Sequence, residues 1–414
     1  MPVLDITTTS KAVKEHYKDL TIKNLVFKNN PFLALVPKYE RFGGLNMPIP
    51  LIYGNPQNVS AQFDKAQASG SGATSTTSLG QFVLTRVKNY SVATVSGEAI
   101  KATEGKADAF IRYLTMEIDG AIHSLARDIS IQLFRDGGGY LGRVKSDYSS
   151  GTTVELSNPD EIANFEVGMN LLFADDTGGS GSATGGTGCD VLTVDREAGS
   201  FTITAPGSGA LAANDYIFRR GTEAGAGLTS STARAVMGLD GWLPSAAPGA
   251  TEFFGQARNK DSQRLGGIRF DGSAMPIEEA LVSGAGKAAR AGGRPDTCLM
   301  SYESYINLEK SLGSRVVYDE LKARDVDVGF RSLAVQGPNG VINVVPDQNC
   351  QPDIAFMLQM NTWSLNSLGG APHILDLDGN RILRKADDDA YEVRIGFYGN
   401  LACNAPGFNV RIAL

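Results

Sequence analysis

The side chains best suited to chemistry are sparse and scattered in this chain. Its histidines, His16, His123 and His373, lie too far apart in sequence to define a metal pair or an acid–base pair. Its cysteines, Cys189, Cys298, Cys350 and Cys403, form no CxxC pair, which gives neither a zinc site nor a small disulfide scaffold. Cys298, Cys350 and Cys403 each sit beside apolar residues and read as buried free thiols, so a reducing compartment is the simplest home. Asp376-Leu377-Asp378-Gly379-Asn380 begins like a calcium loop but lacks the third spaced oxygen ligand and the closing glutamate; a turn between strands accounts for it better. Asp387-Asp388-Asp389 reads as a solvated turn, and the glycine-rich run at 178–188 as a polar loop rather than a phosphate cradle. No dinucleotide fingerprint, P-loop, HExxH or GxSxG motif is present. No catalytic, cofactor-binding or metal-ligating residue emerges, and the expectation is a protein that is not an enzyme.

The composition is that of an ordinary globular chain. Its 414 residues suggest two or three domains, with 42% hydrophobic and 20% charged residues to build and solvate them. The formal charge of -7 argues against a dedicated nucleic-acid binder. Bases outnumber acids up to Arg41, however, so the first segment is mildly positive. The N-terminus lacks a basic region followed by an apolar run, and no window is long and apolar enough to span a bilayer. A soluble protein without a signal peptide and without membrane contact is expected.

The elements that would position any site are easier to read. A short helical candidate covers residues 10–20, and Asn29-Asn30-Pro31 breaks any helix before Phe32-Leu33-Ala34-Leu35-Val36 enters the body. Residues 51–95 form a long polar arm whose ends look like strands, with no large apolar side chain between Gln67 and Ser78. Such an excursion cannot build a core of its own, and it points to another subunit. From 107 to 134, Ile111, Leu114, Ile118, Ile122, Leu125, Ile129 and Leu133 repeat at helical spacing along one face, and Gly137-Gly138-Gly139 ends the run. Residues 152–220 then change to five short β runs at 153–156, 170–173, 191–194, 201–204 and 216–218, which suggest a small barrel or sandwich. The last third is mixed: Pro276 opens one helix, Ser301 caps another, and a hairpin turns at Gly337-Pro338-Asn339-Gly340. Strands are expected at 354–358, 381–384, 391–401 and 409–414, the third with clean alternation.

This order of parts resembles the major capsid (coat) proteins of tailed bacteriophages, whose fold is shared with herpesvirus shells and bacterial encapsulins. Local wording agrees: Asn30-Pro31-Phe32-Leu33, Gly43-Gly44, Leu133-Phe134-Arg135-Asp136-Gly137, Tyr398-Gly399-Asn400-Leu401 and Ala405-Pro406-Gly407. The resemblance implies an α+β phage major-capsid fold. Its parts would be an N-terminal arm (1–31), a peripheral domain with a spine helix (32–50 and 96–140) and an extended loop (51–95). An inserted small all-β domain (141–245), a connection back to the peripheral domain (246–272), an axial domain (273–368) and C-terminal strands of the peripheral domain (369–414) complete it.

By the same resemblance the chain would self-assemble through hexamers and pentamers into an icosahedral shell around double-stranded DNA, as part of the virion capsid, assembled in the bacterial host cytoplasm. Phe63, Asp64, Lys65, Leu79 and Phe82 in the loop would touch a neighbouring subunit, and Lys11, Lys14 and Lys18 would face the interior and packaged DNA without sequence specificity. The arm begins almost at Met1, so a separate scaffolding protein is the expectation, beside a portal protein and a decoration protein. Cofactors and metals are not implied. The alternatives are an encapsulin-like nanocompartment shell and, from a different class, a β-rich ligand-binding protein built on the 152–220 module.

Overall fold

The computed structural model describes residues 30–40, 42–68, 76–96, 107–147, 152–179, 188–204, 211–225, 228–312, 318–322, 329–376, 379–385 and 389–414. The lysines Lys11, Lys14 and Lys18 and the helical candidate at 10–20 lie outside the described residues.

One strand organises the centre of the molecule. Ala390–Cys403 alternates inward apolar residues, Val393, Ile395 and Phe397, with outward Glu392 and Arg394. Val87–Ser96 pairs antiparallel along ten of its residues, from Ala390 opposite Ser96 to Gly399 opposite Val87. Trp363–Ser367, His373–Ile374 and Leu383–Arg384 also pair antiparallel with it, and Lys38–Tyr39 adds a parallel edge to Trp363–Ser367. The run at 87–95 is therefore a sheet strand and not part of a loop. Its alternating Val87, Ala93 and Val95 are buried against the core, which a solvated arm could not provide.

A second sheet of seven strands places Val410–Ala413 between Ile268–Asp271 and Ile354–Leu358, followed by Thr297–Met300, Gly340–Pro346, Gly329–Gly337 and Tyr318–Lys322. Parity along these strands divides two cores. Cys298, Met300, Val344 and Met357 face the helices Ile277–Arg290 and Tyr302–Leu312, while Leu299, Val345, Phe356 and Leu358 face the central core. The C-terminal strand and Ile268–Asp271 join this sheet, whereas Trp363–Ser367 joins the central one. Pairing between residues distant in sequence decides such membership, as with Ile268 opposite Val410. Ser301 caps its helix as expected, its Oγ accepting from Ser304 N at 3.2 Å. Pro31 does not only break structure: it takes the first position of a one-turn helix, Pro31–Leu35, where its missing N–H is harmless.

The long helix runs Ala107–Gln132. Ile118, Ile122, Leu125 and Ile129 enter the central core, and Ile131, on another face, enters a third core. Past the helix the chain turns through Gly137 and Gly139, both at positive φ. Gly238 approaches the helix end so closely that a Cβ there would collide with the carbonyl oxygens of Gln132 and Leu133.

That third core belongs to six strands in the order Tyr140–Arg143, Tyr216–Arg219, Asn170–Ala174, Cys189–Asp195, Ser200–Ile203 and Thr153–Glu155. The two ends meet. Lys145 N donates to Glu155 O at 3.0 Å, Ser157 N donates to Arg143 O at 2.9 Å, and Val144 bridges Leu156, closing the sheet into a small barrel. Leu141, Val154, Phe173 and Ile217 fill it, with Phe165 stacked on Phe201 at 4.7 Å. Tyr140–Arg143 is the strand absent from the sequence reading, being four residues long and directly behind the glycine triplet.

A buried polar hub joins helix end, barrel and seven-stranded sheet. Arg135, 3% exposed, pairs with Glu161 at 2.7 Å and lies 4.5 Å above the Tyr140 ring. Gln351 Nε2 donates to Asp240 Oδ2 at 2.8 Å and to Tyr140 Oη at 3.0 Å, and Arg411 lies 3.3 Å from Asp240. Removing one partner of such a pair leaves a buried charge unmatched, which costs several kcal/mol.

Asp347 ties the first described segment to the seven-stranded sheet. Its carboxylate accepts from Phe32 N at 3.2 Å, Asn349 N at 2.9 Å and Asn349 Nδ2 at 3.1 Å. Burial nevertheless outweighs those donors and pushes the carboxyl up to about 6. Burial raises Asp128, Asp136 and Asp240 as well. A raised carboxyl means that the folded chain keeps a proton which the unfolded chain has already released. The contribution is complete below the unfolded pKa near 4 and is lost as pH rises through about 6. Urea midpoints are expected to be higher at pH 5 than at pH 8, with Asp347 supplying about 1.4 kcal/mol of the difference. Asp347→Asn should flatten that profile.

Candidate assembly interface

The polar arm is a hairpin with two unlike faces. Asn46–Gly54 pairs antiparallel with Ser78–Thr85, Ile49 opposite Phe82 and Ile52 opposite Leu79. Ile49, Phe82 and Leu84 point inward and are buried, with Met47, Leu51 and Tyr53 packed beside them. Ile52 and Leu79 point the other way, 64% and 70% exposed. Pro48 and Pro50 share that outward set and remove backbone donors from the strand, which limits indiscriminate strand addition along it.

The base of the hairpin is fixed to its own subunit. Phe82 sits edge-on to Trp242 at 5.1 Å and to Phe253 at 6.1 Å, and Trp242 Nε1 donates to Leu401 O at 3.1 Å. Val83 N donates to Phe254 O at 2.8 Å, Phe254 N to Ser230 Oγ at 2.7 Å, and Arg264 Nη1 to Tyr53 O at 2.6 Å. Arg258 braces the same place: it donates to Gly241 O at 2.9 Å and covers the Phe253 ring at 3.8 Å. Desolvation lowers its pKa to about 10.

Beyond the base, the tip carries a short helix, Phe63–Ala68. Phe63 is 83% exposed and Val59 87%. Asp64 and Lys65 approach within 3.9 Å, but both are exposed and such a pair contributes little. Residues 69–75 of the tip are outside the described residues.

The residues expected to contact a neighbour therefore separate. Phe63, Asp64, Lys65 and Leu79 are open on the surface; Phe82 is corrected, being fully buried in its own chain. Three residues separate Leu79 from Phe82, and an odd separation along a strand puts them on opposite faces. Ile52 and Val59 were missed; the register that pairs Ile52 with Leu79 is the signal that finds the first. Ile52, Val59, Phe63 and Leu79 thus leave four apolar side chains exposed on the hairpin and its tip.

Among the described residues no three His, Cys, Asp or Glu side chains cluster to hold a metal ion. All four cysteines are buried and free, and burial pushes Cys298 and Cys403 up to about 12, far from a reactive thiolate. His123 is exposed on the long helix, while His373 faces Gly370 O at 2.8 Å and Tyr398. His16 and part of each acidic turn, at 377–378 and 386–388, are outside the described residues.

No protein-family model matches the chain, and no curated protein matches it. Solved structures do. The capsid asymmetric unit of cyanophage A-1(L) is similar over 93% of this chain and 93% of its own, at TM-score 0.50 and 11% identity. A structure of Mycobacterium phage Bobi covers 100% of this chain and 99% of its own, at TM-score 0.42 and 9% identity. An encapsulin complex from Synechococcus elongatus covers 92% and 86%, at TM-score 0.41 and 8% identity. The first of these carries the assignment. The chain has the phage major-capsid fold.

Proposed function

We propose that this chain is the major capsid subunit of a tailed phage, assembling into an icosahedral head around double-stranded DNA. The observation that carries the reading is the hairpin arm, anchored at Phe82 and bare at Ile52, Val59, Phe63 and Leu79, in a chain of this fold. Subunits would gather as hexamers and pentamers, each arm covering the next subunit. Tyr302 and Ile306, half exposed on their helix, would add contacts near the symmetry axes. In this reading residues 1–31 are the interior arm, with Lys11, Lys14 and Lys18 towards DNA, and the barrel is a module inserted into the shell subunit. Assembly would involve a scaffolding protein and a portal, with a decoration protein on the outside, in the host cytoplasm. The role is structural.

Closed symmetric assemblies place one surface in more than one environment, which the polar tip of the arm can accommodate. Electron microscopy of the purified full-length chain tests the proposal. Five- and sixfold rings or closed shells are expected; uniform small oligomers would contradict it.

A further inference from the structure

The chain is acidic overall, at -7, yet one groove gathers cations. It runs between Val87–Ser96, the long helix and the barrel exit, lined by Arg86, Lys88, Arg219, Arg220 and Arg234. Asp128 supplies a carboxylate to this groove. It is buried, accepts from Gln132 Nε2 at 2.8 Å and faces Arg219 at 3.9 Å. Arg86 is engaged elsewhere, donating to Gly44 O at 3.3 Å. Lys88, Arg220 and Arg234 are exposed and form no ion pair among the described residues.

These cations come from three separate stretches of chain, so no single helix end or local turn accounts for their meeting. Like charges brought together repel unless an anion joins them. Tyr90 lines the same groove, 55% exposed, with its ring 5.7 Å from Tyr398 in an edge-on contact. Cations beside an accessible aromatic ring match a ligand with repeated phosphates and flat bases. An acidic peptide would satisfy the charges and leave the ring unused.

We propose that this groove binds the phosphodiester backbone of a nucleic-acid strand, with Lys88, Arg220 and Arg234 meeting phosphates and Tyr90 stacking against a base. The proposal concerns single-stranded nucleic acid and does not rest on the shell reading, whose packaged DNA is double-stranded. The test is fluorescence anisotropy of a labelled oligothymidylate with the full-length chain across a salt series. Three single-strand phosphate contacts predict a loss of affinity of roughly 20-fold when salt is raised about fourfold. The triple variant Lys88→Gln, Arg220→Gln, Arg234→Gln should lose that dependence while melting like the wild type. Tyr90→Leu should weaken binding about tenfold and leave the salt slope unchanged.

Unchanged binding by the triple variant would overturn the proposal. So would equal competition from polyglutamate of matched charge, or binding lost only when Lys11, Lys14 and Lys18 are replaced. Microscopy of the same preparations keeps the two readings apart. Shells with groove-independent binding sink this inference alone, and groove-dependent binding without shells sinks the shell reading alone.

Discussion

Serine at both Ile52 and Leu79 is expected to leave the subunit folded and to stop shells from closing. The two side chains oppose each other across the hairpin and are 64% and 70% exposed, so the isolated subunit gains little from them. Surface substitutions of this kind shift stability by about 0.5 kcal/mol or less. Covering each in an interface would contribute about 1.5–3 kcal/mol. Losing both therefore removes at least about 3 kcal/mol per arm, roughly a hundredfold in each contact's association constant. A shell repeats that loss at every arm. Thermal melting and sedimentation of the double variant are the paired measurements: an unchanged melt with subunits left at the top of the gradient is expected, and normal shells would refute the role given to this face.

Phe82→Ala is expected to do the reverse. Phe82 is fully buried and makes edge contacts with Trp242 and Phe253, inside the cluster that holds the hairpin base. Truncating a buried phenylalanine to alanine costs about 3–5 kcal/mol. The urea midpoint should fall accordingly, and any assembly defect should follow from unfolding rather than precede it. Two positions three residues apart on one strand would thus separate association from stability. A Phe82→Ala variant as stable as the wild type would show that the arm's base does not belong to the subunit core.

Much of this architecture is legible in the residues themselves, because local periodicity carries it. The 3.6-residue spacing of Ile118, Ile122, Leu125 and Ile129 marks the long helix to within two residues of its observed end at Gln132. The period-two pattern from Tyr391 to Phe397 marks the strand that organises the central sheet. Pairing across the chain is less visible. Nothing local tells Val410–Ala413 to join Ile268–Asp271, or the barrel to close through Val144 and Leu156. The hub of Arg135, Tyr140, Glu161, Asp240 and Gln351 is assembled from distant positions, and no motif announces it.

The arm shows the same boundary at a finer scale. Its length and polarity point to another subunit from sequence alone. Which side chains are offered depends on strand parity, and parity depends on the register that sets Ile52 opposite Leu79 and Ile49 opposite Phe82. The basic groove was likewise hidden: Lys88, Arg220 and Arg234 are ordinary surface cations until the fold brings three segments together.

The most direct test of the clasp is a photocrosslinking residue in place of Phe63, in particles grown from equal parts of light and heavy-isotope subunits. If each arm covers the next subunit, crosslinked peptide pairs will be mixed in isotope about as often as they are matched. Pairs that are always matched, each arm joined only to its own chain, would contradict it.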